Sequence, residues 1–199
     1  MTIASSFGLL LIVWGCLPMA AHAGPESATT LYLLHDAKKE LWCGYHDENA
    51  WRASIGEVGA AETASVEFVK GVPKVVKVTE YDDSGVGAWI VFDRYYLNDT
   101  GVVLSLQRMT NALADNVSRS EVFEARAGGH LALQHVKLRS IETDSPIARS
   151  DAPFPSLPMA ARVAYFPFGA LIERSGEVFA QDRVCVPPRE VIEDMPNRR

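Results

Sequence analysis

Through residues 62–141 apolar and polar side chains alternate with a period of two, and the alternation is cut every ten residues or so by glycine, proline or aspartate. A period of two sends successive side chains to opposite faces, so each stretch predicts a half-buried β-strand. Ala64, Val66 and Phe68 alternate with Ser65 and Glu67 before Gly71-Val72-Pro73 breaks the run. Residues 74–81 are β-branched and alternating, and Asp82-Asp83-Ser84-Gly85 has the composition of a turn. Residues 87–97 form the strongest strand. Trp89, Ile90, Val91, Phe92, Tyr95, Tyr96 and Leu97 make both of its faces apolar, which predicts a position inside its sheet. Trp89 and Tyr95 fall on one face, Phe92 and Tyr96 on the other. Asn98-Asp99-Thr100-Gly101 follows as a four-residue hairpin connection, with glycine where positive φ is expected. Val102, Leu104 and Leu106 then predict one buried face. After a polar break at 112–116, residues 121–127 and 130–141 read as two strands joined at Gly128-Gly129.

Strands at this spacing with short turns predict a mainly β fold: an antiparallel meander sheet, as a curved sheet, a sandwich or a half-barrel. One short N-terminal helix is expected over Glu48–Val58. Asp47 is its N-cap, and Trp51, Ile55 and Val58 share a face. Residues 144–158 hold Pro146, Pro153, Pro155 and Pro158 and predict a linker or wrapping loop. Residues 162–172 and 177–186 are expected to form a last pair of strands turned at Ser175-Gly176. Residues 187–199 form a charged tail.

The first 23 residues carry no charged side chain. An apolar run over 7–13 precedes Ala21-His22-Ala23, the layout of a signal peptide with an A-x-A cleavage site. This predicts a leader over 1–23 and a single β-rich domain over 24–186, periplasmic or secreted. The leader has no Lys or Arg at its start. Val13-Trp14-Gly15-Cys16 resembles a bacterial lipobox, so a lipid anchor at Cys16 is a minority alternative, as is an uncleaved anchor interrupted by Pro18. No other apolar stretch is long enough to span a bilayer once the leader is removed.

Removing the leader leaves the net charge of −6 unchanged and leaves two cysteines, Cys43 and Cys185. The acidic balance argues against nucleic-acid binding and against docking on an anionic membrane. In an oxidising compartment an isolated cysteine pair predicts a disulfide. Closing so long a loop stabilises a fold by about 4–5 kcal/mol in the chain-entropy picture.

Chemistry is sparse. G-x-S-x-G, H-E-x-x-H, P-loop, G-x-G-x-x-G and EF-hand patterns are all missing, and no motif calls for a cofactor. His35-Asp36 and His46-Asp47-Glu48 form the densest set of metal-ligand types. His35, His46, Asp47 and Glu48 would converge only if the flanking segments pair as a hairpin through Lys38-Lys39. Glu80, Asp82 and Asp83 crowd one turn, where hydrated carboxylates are ordinary. The aromatic strand is more informative. Trp89, Tyr95 and Tyr81 are candidate ligand contacts, because amphipathic rings on a curved sheet suit an apolar ligand or partner. The expected function is therefore a non-enzymatic binding or accessory module of the cell envelope, serving an apolar small molecule or an envelope protein. The competing expectation is a hydrolase or metal-dependent enzyme built on the His35 and His46-Asp47-Glu48 region.

Overall fold

The computed structural model describes residues 28–60, 62–82, 88–150, 152 and 154–189. The expected leader with Cys16, Asp83 and the last ten residues of the expected tail lie outside them. Nine strands form one open antiparallel sheet: β1 (Thr29–Asp36), β2 (Leu41–Tyr45), β3 (Glu62–Val69), β4 (Val72–Asp82), β5 (Trp89–Leu97), β6 (Val103–Ala112), β7 (Val117–Ala125), β8 (Leu131–Ser140) and β9 (Val184–Val186). Their order across the sheet is β8-β7-β6-β5-β4-β3-β1-β2-β9. From β3 to β8 each strand pairs with the next, as short turns dictate. The first hairpin departs from this order. Helix α1 (Glu48–Val58) carries the chain across β1, so β3 pairs with β1 and leaves the far edge of β2 for β9.

Helix α1 starts where its sequence directs. Asp47 accepts a hydrogen bond from the Ala50 amide at 2.8 Å, and Gly59 ends the helix with φ +63°. Its apolar face, with Trp51, Ile55 and Val58, lies on Tyr32, Leu34, Cys43 and Tyr45 of the outer face of β1 and β2. The Trp51 indole donates to the Leu33 carbonyl at 2.9 Å. Cys43 and Cys185 are direct partners on β2 and β9, with their sulfurs at bonding distance, 2.13 Å.

The opposite, inner face holds the main core: Leu31, Leu33, Val66, Val76, Tyr95 and Leu106 from the sheet. The chain between residues 154 and 180 covers it, and here two expectations are corrected. Residues 162–172 are not a strand but a single 3-10 turn, Val163–Tyr165, followed by α2 (Gly169–Glu173). Within 177–186 only Val184–Val186 is extended; Ser175–Ala180 is α3. Segments lying on a sheet face have no neighbouring strand edge to bond, so short helical turns satisfy their backbone locally. Phe166, Phe168, Leu171 and Val178 thereby point into the sheet.

A third correction concerns β6. The pairing of β5 with β6 slips at Tyr96/Leu97, which advances the phase by one residue. Val103, not Val102, enters the core together with Leu106, while Leu104 is 51% exposed.

The Phe168 side chain is fully buried, 4.7 Å from the Trp42 ring centroid and 5.1 Å from that of Phe166. Phe168→Ala is expected to lower stability by about 3–5 kcal/mol, read as a fall in the urea midpoint without a change in slope. Gly169→Ala is also expected to destabilise, because a Cβ there would sit 2.9 Å from the Val163 carbonyl oxygen.

Candidate functional site

The pleat puts an unusual set of residues on the inner face. In β3 the inward phase runs Phe68, Val66, Ala64 and then Glu62. In β4 it runs Val76, Val78 and then Glu80. Asp93 lies between Val91 and Tyr95 in β5, and Arg108 follows Leu106 in β6. Glu121 occupies the same phase in β7, opposite Arg108. The inward phase therefore turns from apolar to charged in two adjacent rows: Asp93, Arg108 and Glu121 stand level with Val78, and Glu62 and Glu80 stand one row on, level with Val91. Asp93, Arg108 and Glu121 are each under 9% exposed.

Arg108 and Asp93 are register partners. The Arg108 Nε donates to Asp93 Oδ1 at 2.8 Å and its Nη2 to Oδ2 at 2.6 Å, a bidentate pair. The same guanidinium donates to the carbonyls of Leu157 and Pro158, at 3.1 and 3.3 Å. The end of the proline-rich segment is thus a strap tied to the sheet through Arg108. Arg119 holds the Glu121 carboxylate at 2.5 Å and lies over the Phe154 ring, centroid distance 5.4 Å. Expected as a linker or wrapping loop, the segment runs first beside β8, where Pro146 bridges Arg139, and only its end crosses the inner face.

Between strap and sheet lies a cleft of about 230 Å³, with Tyr95, Phe166, Phe168, Tyr165 and Met159 among its walls and Glu62 and Glu80 on one side. Aromatic rings pave it. Tyr95 meets Phe166 edge-on at 4.9 Å, Phe166 stacks on Phe168, and Phe168 meets Trp42, on which His35 stacks at 5.2 Å. The Tyr95 hydroxyl donates to Asp93 Oδ2 at 3.1 Å, and burial pushes its phenol above the ordinary value.

Glu62 and Glu80 are direct cross-strand partners. Burial, reinforced by the neighbouring Glu80 charge, pushes Glu62 up to about 7. Glu62 is therefore half-protonated at about pH 7, with burial the larger cause and the like charge the smaller. His35 Nδ1 lies 3.9 Å from the Glu62 carboxylate. The group can accept or release a proton near neutrality and can present a carboxylate to a hydrogen-bond donor or a cation.

The residues expected from sequence to bind metal do not gather. His35 faces inward on Trp42, whereas the His46 ring Nδ1 pairs with the Gln181 carbonyl at 3.1 Å. Asp47 is engaged as the helix cap. Glu48 accepts from Tyr32 and Arg52, and the Arg52 guanidinium holds its carboxyl below the usual range. Among the described residues no three His, Cys, Asp or Glu side chains form a metal-binding group. Of the aromatic candidates, Tyr95 lines the cleft. Trp89 shares the inner face at the far end of β5 and is half-buried. Tyr81 lies on the outer face, 42% exposed. The clearest signal of the cleft in the sequence is a different one. Glu62, Glu80, Asp93 and Arg108 are charged residues in the apolar phase of otherwise regular strands.

Among the described residues nothing covers the outer face of β4–β8, which holds a shallow trough of about 440 Å³ bordered by Lys77, Thr79, Phe92, Arg94, Met109 and Ser120. No known family, no curated protein and no solved structure matches the chain.

Two outcomes are expected. The Glu62 pKa rises on folding from 4.5 to about 7. Its favourable contribution is therefore complete below the unfolded value and is lost as pH rises through about 7. Between pH 4.5 and 8 the wild type should lose on the order of 2–3 kcal/mol that Glu62→Gln does not lose, measured by denaturant unfolding at each pH. Arg108→Leu should cost about 3–5 kcal/mol by stranding Asp93, and should speed proteolytic cleavage within 150–160.

Proposed function

We propose that this protein is an exported binding module whose inner-face cleft takes a small apolar ligand carrying a hydrogen-donating or cationic head. The observation that carries this reading is the carboxyl pair at the side of an aromatic cleft, closed by a strap that the sheet itself holds down. The rings offer an apolar bed, while Glu62 and Glu80 supply the few polar contacts that fix orientation. The volume is below that of sites for drug-sized molecules, about 300–1,000 Å³, which points to a compact ligand. The leader pattern and the bonded cysteine pair favour an oxidising compartment outside the cytoplasm. Among the described residues no helix is long and apolar enough to cross a membrane.

A second reading has one specific observation in its favour. A buried carboxyl group held near 7 beside a second acidic side chain suits general acid–base catalysis at neutral pH, with Glu62 as the group that exchanges the proton. In that reading the reacting groups differ from the His46-Asp47-Glu48 set expected from sequence.

Benzylamine, benzyl alcohol and benzoate separate these possibilities by charge on one body. Benzylamine at a hundredfold excess over its Kd should raise the melting temperature by several degrees, benzyl alcohol less, and benzoate not at all. Glu62→Gln combined with Glu80→Gln should abolish the benzylamine shift. Equal shifts with all three compounds, or none, would sink the binding reading. Turnover of aryl esters or aryl glycosides that Glu62→Gln removes would favour the catalytic one.

A further inference from the structure

We propose that the outer face of β4–β7 is a second binding surface, for a monoanionic amphiphile: a carboxylate on an alkyl body. It is independent of the inner cleft and shares no exposed side chain with it.

Register places the outward residues in two adjacent rows. Lys77, Arg94, Gln107, Val122 and His135 pair across five strands, and Thr79, Phe92, Met109, Ser120 and Lys137 form the row beside them. Helix α1 covers this face only over β1 and β2, so over β4–β7 it meets solvent. Phe92 and Met109, 37% and 38% exposed, sit side by side at the floor of the trough. Adjacent exposed large apolar side chains in an otherwise polar row mark a contact surface. Neighbouring strands are about 4.8 Å apart, so four strands give a trough roughly 15 Å across.

The charges select the head group. In a protein of net charge −6, the side chains bordering the trough on this face include two cations and no acid. Lys77 is spent on Glu67. Arg94 is exposed and, among the described residues, has no acidic partner; the same holds for Lys137 at the end of the apolar row. One free guanidinium beside an apolar floor matches one negative charge with an apolar body. A polyanion running along the basic row would pass Glu124, which points outward on β7 opposite Ser105. An anionic bilayer is opposed by the net charge and by the recess of the floor. A second copy of the same face would set Arg94 and Lys137 against their like.

The test is calorimetric titration with decanoate, decanol and decyltrimethylammonium, each below its micellar concentration, on wild type, Arg94→Gln and Met109→Asp. Both variants alter exposed side chains, so the fold is retained, which circular dichroism checks. Decanoate should bind at least tenfold more tightly than decanol, and decyltrimethylammonium should not bind. Arg94→Gln should weaken decanoate tenfold or more while leaving decanol unchanged, and Met109→Asp should remove both. Flotation with vesicles containing anionic phosphatidylglycerol should show no association. No decanoate binding, equal affinity for decanol, indifference to Arg94→Gln, or vesicle association in place of decanoate binding would each overturn the proposal.

Discussion

The bidentate pair of Arg108 with Asp93 is the constraint on which the architecture turns. It lies on the inner face near the middle of the sheet, almost wholly excluded from water. Burying two charges is costly, and attraction between them offsets the cost only when their remaining hydrogen-bonding capacity is also met. Asp93 receives the Tyr95 hydroxyl, and Arg108 reaches two strap carbonyls. The pair therefore cannot be satisfied by the sheet alone. It requires the strap in place, and so makes sheet and cover cooperative.

The covering layer is pinned at both ends. At its entry Arg108 holds Leu157 and Pro158. At its exit β9 pairs with β2, and Cys185 faces Cys43. Between them Phe166, Phe168 and Val178 fill the space above the sheet. Arg183 adds a contact at the exit, donating toward both sulfurs at 3.2 Å and lying over the Tyr45 ring. An open sheet of nine strands exposes two broad faces. This one lays residues 154–180 on one face and a single helix on a corner of the other, so among the described residues the rest of the outer face is left to solvent.

Charge in a strand's core phase is the common origin of the cleft's chemistry. Where that charge finds an opposite partner, as at Arg108, it becomes structural. Where burial is compounded by a like charge alongside, as at Glu62, the carboxyl is pushed up to about 7. The same physical step, taking carboxylates out of water, yields a clamp on β5 and β6 and a carboxyl with a raised pKa on the neighbouring β3 and β4.

Local pattern alone determined much of the fold. The alternation in β3, β4 and β5, the Asn98–Gly101 turn and the Asp47-capped helix all rest on interactions within a few residues, and each appears where expected. The cysteine pair was legible too, because only Cys43 and Cys185 remain once residues 1–23 are set aside as an expected leader. The tertiary structure decided what local pattern is blind to. The bulge at Tyr96/Leu97 exchanged Val103 for Val102 and Leu104 in the core. Residues 162–180 became helical turns because they lie on a face and not beside an edge. Glu62 and Glu80 are 18 positions apart in sequence, and only strand pairing makes them neighbours. Metal-ligand residues close in sequence were dispersed to a cap, an ion pair and a stacking contact. Proximity in sequence fixes secondary structure, whereas the electrostatics of a site depend on which strands lie side by side, and register sets that.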